Sequence, residues 1–478
     1  MNEPSSLLST SLRSLEDTDV MVNRDKRTML TRRRFAQLSG MAAGSALLGT
    51  ATSRAAAAAD VTLEIAPYTL EASPKRHFRT VAYNGQVPGP LLRMRQGVEQ
   101  TVEVHNLTAD PEVVHWHGLF LPSAIDGAME EGTPMISPGD KARYTFKLNP
   151  SGFRWFHTHT FAGSNLSKAQ YGGQHGFLMI EPRENPGNYD REIFIGLHDW
   201  GGHLAGGDDG SMNPVYDVST VNGKMLGFGD PIGVKQGERV LMHILNSSPT
   251  EVHWIALAGH SFRVISLDGN PVPQPQTVAM LRLAPAERVS AIVEMNAPGV
   301  WVLGEVRKHV QAAGMGIVIE YAGATGKPVW TQPDDLIWNY RQFAAQGDPA
   351  QLGEEVVRIV LTFDSKFRGH GNEELWRING KSYPNTDEPL LKAGQRYRLV
   401  LKNLSTDDHP MHLHRHTFEV CNVGGDSEMR GLRKDVVLVP ARSTAEVEFV
   451  ADNPGKTLFH CHQQDHMDRG FMMVFQYA

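Results

Sequence analysis

Four short stretches of this 478-residue chain place histidines two residues apart. They are His115-Trp116-His117, His157-Thr158-His159, His409-Pro410-Met411-His412-Leu413-His414 and His460-Cys461-His462, and His466 follows the last one. Residues i and i+2 of a β-strand point to the same face, so each pair projects two imidazoles in one direction. Neutral imidazole is a ligand for Cu, Zn, Fe and Ni. Together the four pairs predict a metal centre with more imidazoles than one ion can bind.

Cys461 lies inside the last of these stretches. On a strand its side chain points away from the face used by His460 and His462, so one tripeptide can serve two sites. One cysteine with two histidines and a weak axial partner is the ligand set of blue-copper sites. The chain has only one other cysteine, Cys421, which excludes a disulfide framework.

An internal repeat indicates the elements that position these residues. From about residue 60 the chain alternates apolar and polar residues in short runs that end in Gly, Pro, Asn or Asp, without long helical periodicity. Three copies of Asn-Gly are each followed by a glycine and, nine residues later, by an asparagine: these are Asn84, Gly97 and Asn106, then Asn222, Gly237 and Asn246, then Asn379, Gly394 and Asn403. The repeat predicts an all-β protein of three consecutive Greek-key β-sandwich domains. Turn-rich segments place these domains at 60–187, 188–328 and 329–478.

The N-terminal residues 1–59 have the order of an export signal. Arg32-Arg33-Arg34 precede a weakly apolar run over 38–51 and a small-residue region over 55–59. The paired arginines before Phe35 resemble the twin-arginine signal of bacteria. This predicts a periplasmic or secreted protein that uses the twin-arginine export machinery. The apolar run falls short of the ~20 residues that a bilayer span needs, so no stable membrane span is expected.

Composition excludes other classes of protein. Hydrophobic residues make up 41% of the chain and charged residues 21%, which is a globular composition. There are 46 basic and 53 acidic side chains, with a formal net charge of −7. Phosphate contacts need clustered Lys and Arg, so an acidic chain of this kind is not expected to bind nucleic acid.

From about Tyr83 to the C-terminus the sequence resembles the multicopper oxidases, specifically their three-domain laccase-like branch. The resemblance includes the segment from Tyr83 to Pro90, the stretch Trp155-Phe156-His157-Thr158-His159 and the order of all four histidine motifs. It implies that the three domains are cupredoxin-like. It also implies four copper ions: one of type 1, one of type 2 and a type 3 pair.

The resemblance also implies a ligand for each copper. Cys461, His409 and His466 would bind the type 1 copper, and His115 and His412 the type 2 copper. The type 3 pair would be bound by His117, His157, His159, His414, His460 and His462. The type 2 and type 3 coppers would form one cluster between the first and third domains. The middle domain would supply no ligand, since its His253-Trp254 echoes the motif without a second histidine.

Some positions depart from the family pattern. Phe471 occupies the axial position ten residues after Cys461, where its non-coordinating ring should raise the type 1 potential. The alternative is that Phe471 only packs and that Met472 or Met473 coordinates instead. Arg415 stands where glycine is common in the family. Asp126 matches the family's acidic residue near the type 2 copper, so it is the first candidate proton donor. Gln464 and Met467 occupy the two positions where the second family acid is found. Asp465 and Asp468 are neighbours that could substitute for it, and Asp465 is taken as the second candidate proton donor.

The resemblance implies an exported copper-dependent oxidoreductase that uses O2 as acceptor and a small reducing substrate. It would couple four one-electron oxidations of phenols or aromatic amines to the reduction of O2 to two waters. An alternative is oxidation of Cu(I), Fe(II) or Mn(II) in copper tolerance or metal handling, but the methionines form no Met-rich run. A copper nitrite reductase would use fewer ligands. A copper-free structural or interaction protein of the same fold would not need all eleven ligand positions filled.

Overall fold

The computed structural model describes residues 58–183, 188–206, 212–345, 356–368, 373–425 and 429–478. Residues 1–57, which hold nearly all of the predicted export signal, and the predicted domain boundary at 187 lie outside these residues. Within the described ranges, no helix has the length and apolar character needed to span a membrane.

Eight strands form the first pair of sheets, between residues 61 and 181. They are β1 (Val61–Ser73), β2 (Arg76–Tyr83), β3 (Gly89–Arg95), β4 (Glu99–Asn106), β5 (Val114–His115), β6 (Lys141–Lys147), β7 (Gly152–Thr158) and β8 (His175–Glu181). One sheet has the order β2-β1-β4-β6 and the other β3-β8-β7-β5. Helix α1 (Ser123–Asp126) and the 3₁₀ turns Met129–Glu131 and Ala169–Tyr171 lie in the connections.

Thirteen strands form the middle pair of sheets and a small hairpin. They are β9 (Arg191–Trp200), β10 (His203–Gly206), β11 (Met212–Val215), β12 (Val218–Val221), β13 (Ile232–Val234), β14 (Arg239–Asn246), β15 (His253–Leu257), β16 (Phe262–Leu267), β17 (Asn270–Val278), β18 (Met280–Leu283), β19 (Arg288–Glu294), β20 (Val300–Glu305) and β21 (Gly316–Tyr321). The sheets have the orders β12-β9-β14-β19-β16-β17 and β13-β21-β20-β15-β18, and β10 pairs with β11. Helix α2 (Lys308–Ala312) connects β20 to β21.

Eleven strands form the third pair of sheets, after a 3₁₀ turn at Tyr340–Phe343. They are β22 (Val356–Arg368), β23 (Glu373–Ile378), β24 (Leu390–Leu391), β25 (Arg396–Asn403), β26 (His409–Leu413), β27 (Phe418–Val423), β28 (Arg433–Lys434), β29 (Val436–Val439), β30 (Thr444–Val450), β31 (Thr457–Cys461) and β32 (Met472–Tyr477). The sheets have the orders β23-β22-β25-β30-β27-β28 and β24-β32-β31-β26-β29. Helix α3 (Gln464–Asp468) follows β31.

The prediction of an all-β chain with three consecutive β-sandwich domains is confirmed by these sheets. Side chains alternate between core and surface as a two-residue period requires: Val102 and Val104 of β4 are fully buried. One apolar core cluster continues from the middle domain into the third, from Ile195 to Phe475. The boundary near 328 falls between β21 and the turn at Tyr340–Phe343, and its position stays a prediction.

The repeated Asn-Gly pairs make the same turn in each domain. Asn84, Asn222 and Asn379 have φ angles of 50°, 49° and 52°, and the glycine after each also has positive φ. This is the conformation of a type I′ turn, which Asn-Gly adopts with little strain. The Oδ1 atom of each asparagine also accepts a backbone N–H of a strand 17 to 26 residues away, at 2.7–2.8 Å. The repeat therefore closes the same local structure three times.

The second repeated asparagine anchors the loop after a central strand. Nδ2 of Asn106, Asn246 and Asn403 donates to a carbonyl four or five residues ahead at 2.7–2.8 Å. The Oδ1 atom of each accepts the backbone N–H two residues ahead at 2.9 Å. Each loop leads to the histidine that follows the repeated asparagine, which is His115, His253 or His409, so the repeat determines the position of these histidines.

In the middle domain that histidine, His253, lies in a buried ion cluster. Its Nε2 is 2.9 Å from Oδ2 of Asp199 and its Nδ1 is 3.1 Å from Oε2 of Glu305. All three side chains are at most 1% exposed. Burial by itself would lower the pKa of His253, but Asp199 and Glu305 outweigh it and raise the pKa to about 10. His253 is therefore a buried cation held between two carboxylates.

We predict that His253→Gln destabilises the middle domain by about 3–5 kcal/mol, because it leaves the buried carboxylate of Asp199 without its cation and leaves Glu305 paired only with Arg307 among the described residues. The stability that His253 contributes is complete below its unfolded pKa of about 6.5, and it is lost as pH rises through about 10. Since Asp199 has its pKa lowered to about 2, its contribution is present above about 3.9 and is lost as pH falls through about 2.

Urea unfolding followed by circular dichroism across this pH range measures both effects. The control is His203→Gln, because His203 is 58% exposed and lies 3.9 Å from Asp217, where an ion pair contributes little. An unfolding midpoint in His253→Gln equal to that of the control would contradict the prediction.

Candidate metal centre

Two pairs of neighbouring strands carry the four histidine motifs. β5 pairs with β7 and places His115 opposite His157 in the first domain. β26 pairs with β31 and places His412 opposite His460 in the third domain. The remaining members of the pairs directly follow these segments: His117, His159, His414 and His462. The two strand pairs thus bring imidazoles from both domains to one place.

Eight histidines form a single buried cage, which we call the histidine cage: His115, His117, His157, His159, His412, His414, His460 and His462. Each is at most 1% exposed. Their ligand atoms gather into three groups within 4.8 Å: His115, His117 and His412; His117, His157 and His462; and His159, His414 and His460. Rings of the first and third domains stack on one another, with centroids 3.8 Å apart for His117 and His412. Both domains are therefore needed to build the cage.

Backbone carbonyls determine which ring nitrogen faces the cage. Nδ1 of His157 lies 2.7 Å from the carbonyl oxygen of Thr158, and Nδ1 of His412 lies 2.7 Å from that of Asp435. A carbonyl can only accept, so each Nδ1 carries the proton and each Nε2 is bare. Nε2 of both rings has no hydrogen-bond partner within the described part of the chain. These bare, buried nitrogens are free to bind a metal ion.

His414 and His460 show most directly that the cage requires a cation. Nδ1 of His460 donates to the carbonyl of Cys461 at 2.8 Å, and Nδ1 of His414 faces Oδ2 of Asp126 at 3.0 Å. Their Nε2 atoms, each with a lone pair, lie 3.0 Å apart. Burial and the neighbouring histidines hold the pKa of both rings well below the usual value, so protons do not supply the charge. A metal ion shared by the two nitrogens removes this repulsion.

A second centre, which we call the sulfur centre, consists of His409, Cys461 and His466. Sγ of Cys461 lies 3.5 Å from Nδ1 of His466 and 3.9 Å from Nδ1 of His409, and the two nitrogens are 3.2 Å apart. Burial raises the pKa of the thiol and lowers that of His409 to about 3. A metal ion reverses this preference for the neutral thiol because it binds the thiolate. One thiolate with two imidazoles fits copper.

Aromatic rings close the sulfur centre. The ring of Trp376 lies 4.1 Å from that of His466, and the ring of Phe471 lies 4.8 Å from that of His409. Phe471 is fully buried in the same apolar cluster as Cys461, whereas Met472 packs in a different cluster. Of the three side chains of the sulfur centre, His466 alone reaches the surface, with 5% exposure.

Two carboxyl groups lie at the edge of the cage. Oδ2 of Asp126 is 3.0 Å from Nδ1 of His414 and 3.2 Å from Nδ1 of His115. Glu131, which the sequence analysis did not single out, accepts the backbone N–H of Leu458 at 2.6 Å and lies 3.6 Å from Nδ1 of His414. Burial and the nearby Asp126 raise the pKa of Glu131 well above its usual value, which favours the protonated form of this carboxyl. Its only sequence signal was the acidic pair Glu130-Glu131, four and five residues after Asp126.

Asp465 is not brought to the cage. Its Oδ1 pairs with Arg469 at 3.0 Å, and across the described ranges no hydrogen bond or ion pair joins it to a cage histidine. Burial raises its pKa to about 6, and the carboxylates of Glu374 and Asp407 act in the same direction. Asp465 thus lies on helix α3 next to His466, at the sulfur centre.

Arg415 now has a structural explanation. Its φ angle of 62° lies in the left-handed region that favours glycine. Glycine is the common residue at this position in the family that the sequence resembles. The buried guanidinium donates to the carbonyls of Leu121, Asn453, Pro454 and Lys456 at 2.7–3.0 Å. It therefore ties the segment before β31 to the segment before α1, the helix that carries Asp126.

The chain matches known family models over most of its length. Three models, each described as multicopper oxidase, match residues 65–185, 192–319 and 358–478. Multicopper oxidase MmcO of Mycobacterium tuberculosis is 31% identical over 441 residues, which cover 83% of each chain. Laccase-4 of Thanatephorus cucumeris is 26% identical over 453 residues, which cover 80% of this chain and 82% of the laccase.

Solved structures agree in fold. Fet3p, a multicopper oxidase that functions in iron import, superposes with a TM-score of 0.73 at 19% identity, over 87% of this chain and 90% of Fet3p. Three matched family models, a relative above 30% identity and a converging set of bare imidazoles with one sulfur lead to the same conclusion: this chain is a copper-dependent oxidoreductase that belongs to the multicopper oxidase family.

Proposed function

We propose that the protein binds four coppers and reduces O2 to two waters with electrons from a small reductant. Cys461, His409 and His466 would hold the type 1 copper, and His115 and His412 the type 2 copper. The type 3 pair would be held by the other six cage histidines: His117, His157, His159, His414, His460 and His462. When bound, the coppers supply the redox chemistry, in which four electrons and four protons convert O2 to two waters. The facing bare nitrogens of His414 and His460 carry this proposal.

Electrons would enter at His466 and leave the sulfur centre through the chain itself. His466 is the partly exposed member of the sulfur centre. Cys461 lies between His460 and His462, whose rings face the cage. The path from Sγ to either ring is therefore covalent and only a few bonds long. His460 and Cys461 both lie in β31, whose backbone sets their relative positions.

Protons would reach the cage through Asp126, with Glu131 behind it. Asp126 contacts two cage histidines, and Glu131, whose pKa is raised by burial, lies 3.6 Å from Nδ1 of His414. A carboxyl group in this position can deliver protons to reduced oxygen species as a general acid. Asp465 was predicted from the sequence as a second proton donor, but its ion pair with Arg469 supports a role at the reductant side instead.

The reductant is proposed to be a phenol or an aromatic amine. The methionines are scattered along the sequence, and aromatic rings surround the sulfur centre. One observation favours the alternative, a metal ion such as Cu(I) or Fe(II). Asp465 lies near Glu374 and Asp407, and such a group of carboxylates attracts cations.

We further propose that residues 1–59 direct the protein to the periplasm or the cell exterior through the twin-arginine machinery. The proposal rests on the Arg32-Arg33-Arg34 sequence and the apolar run that follows it. This machinery carries folded proteins, which suits a metal centre built from two domains.

The variant Cys461→Ser tests the proposed type 1 copper site. Serine cannot supply a thiolate, so the variant should lose the intense blue absorption and one copper per chain, with phenol oxidation falling to background, while the cage retains its copper. Metal analysis, the visible spectrum and O2 consumption measure these effects. Cys421→Ser is the control, since Cys421 lies in β27 away from both centres and should leave all three unchanged. A blue Cys461→Ser protein, or a folded wild type that binds no copper, would contradict the proposal.

Asp126→Asn should slow the reoxidation of the fully reduced protein by O2 about 10²-fold or more, the usual contribution of a general acid. The amide preserves the shape of the side chain but cannot deliver a proton. Stopped-flow spectroscopy measures this step without the reductant. Asp465→Asn serves as the control and should reoxidise at the wild-type rate, because Asp465 does not contact the cage. Equal rates for Asp126→Asn and the wild type would refute the assignment.

Asp465→Asn also separates the two classes of reductant. If phenols are the substrates, their oxidation exceeds that of Cu(I) and Fe(II), and Asp465→Asn leaves the KM for a neutral phenol unchanged. For a metal-ion substrate the same change should raise KM roughly fivefold, the effect of about 1 kcal/mol of lost attraction near the surface. Initial rates of the two classes measure this. Asp387→Asn controls for net charge, since this exposed acid of the third domain pairs only with Lys381 among the contacts of the described residues.

A further inference from the structure

The middle domain supplies no ligand, yet it reaches the cage through a buried group of charges. We call this group the junction cluster, and its members come from all three domains: Arg154, Asp268, Glu287, Arg288, Lys434 and Asp435. Three cations balance three carboxylates there, and each side chain is at most 4% exposed. Buried charges persist only when they are paired and hydrogen-bonded, which this cluster achieves.

Asp435 is the member at which the three domains meet. Arg288 of the middle domain donates from both Nη atoms to its two carboxylate oxygens, each at 2.6 Å. Arg154 of the first domain lies 3.3 Å from Oδ2. Asp268 of the middle domain accepts the backbone N–H of Asp435 at 3.3 Å and that of Arg288 at 3.0 Å. The carboxylate of Asp435 is therefore held on both its side-chain and its backbone atoms.

The same residue contacts two cage histidines. Oδ1 of Asp435 lies 3.1 Å from Nε2 of His117, and its carbonyl oxygen lies 2.7 Å from Nδ1 of His412. Both acceptors are unprotonated oxygens, so His117 must donate from Nε2 and His412 from Nδ1. The opposite nitrogens, Nδ1 of His117 and Nε2 of His412, are the bare ones and have no partner among the described residues.

Gly118 makes this close approach possible. Its φ is +82°, and a Cβ at this position would lie 2.6 Å from Oδ2 of Asp435 and 3.0 Å from Nη2 of Arg288. Any side chain there would push the carboxylate away from His117. Gly118 thus allows both the turn after the first histidine motif and the close approach of Asp435 to His117.

We propose that Asp435 and Arg288 are positioning residues through which the middle domain orients His117 and His412 for copper binding. Copper binding in the cage then depends on the docking of the middle domain. Copper binding at the sulfur centre does not depend on this docking, because its three proposed ligands all belong to the third domain. The inference rests on the proposed copper assignment of the cage.

The test is a copper titration of the metal-free protein against a competing chelator. Asp435→Asn should weaken copper binding in the cage about 10- to 100-fold, the usual effect of removing a partner of a metal-binding histidine. The blue band of the sulfur centre should form at the wild-type copper concentration, which also reports that the third domain is folded. The electron paramagnetic resonance signal of the type 2 copper follows the cage separately.

Two further variants sharpen the test. Arg288→Lys preserves the charge but not the two-pronged hydrogen bond, so its affinity for cage copper should lie between those of the wild type and Asp435→Asn. Arg282→Gln is the matched control. Arg282 forms another ion pair between the middle and third domains, 2.7 Å from Asp408, but does not touch the cage, so both centres should fill as in the wild type.

Wild-type cage affinity in Asp435→Asn, or equal weakening of both centres in a folded variant, would overturn the inference. If Asp435→Asn does not fold, Arg288→Lys decides: wild-type cage affinity in that variant overturns the inference, and selective weakening of the cage supports it. A wild-type protein whose cage binds no copper would instead overturn the proposed function, so the two failures are distinguishable.

Discussion

The structure depends on one electrostatic constraint: bare imidazole nitrogens face one another inside a buried cage. Nε2 of His414 and Nε2 of His460 lie 3.0 Å apart, and neither carries a proton. Such an arrangement is unfavourable without a cation, so the protein must hold it with many surrounding hydrogen bonds. Backbone carbonyls, Asp126 and Asp435 perform this task for four of the rings by accepting the opposite ring N–H of His117, His157, His412 and His414. The fold thus holds the mutually repelling imidazole nitrogens in positions where they can bind metal ions.

In the middle domain the same repeat leads to a buried ion cluster and not to a candidate metal ligand. The first histidine after its repeated asparagine, His253, lies between two carboxylates and is cationic, whereas His115 and His409 present bare nitrogens. The middle domain then contributes Arg288 to the junction cluster, beside the cage. Its contribution to the cage is therefore a set of fixed charges that hold the two ligand-bearing domains together.

Much of the fold and of the ligand set was predictable from local patterns. Asn84, Asn222 and Asn379 mark the same turn because Asn-Gly tolerates positive φ, a property of the residues themselves. Histidines two residues apart share a face of a strand for a similar local reason. The alternation in His460-Cys461-His462 likewise separated the sulfur from the imidazoles before any tertiary contact was known. The substrate followed from no such pattern, since it depends on surface groups that repeat nowhere in the chain.

The sequence by itself indicated three β-sandwich domains, four histidine pairs suited to a metal centre and the separation of Cys461 from His460 and His462, because each of these follows from residue type and short-range spacing. The expected set of eleven copper ligands came from the family resemblance. Only the tertiary structure decided which ring nitrogen of His117, His412 and His414 is bare, since folding brings the acceptor oxygens of Asp126 and Asp435 to these rings. It also decided that Glu131 lies beside the cage and that Arg415 ties two segments together, because both depend on contacts between residues hundreds of positions apart. Charge pairing across domains has no periodicity, and so no pattern along the chain could have indicated it.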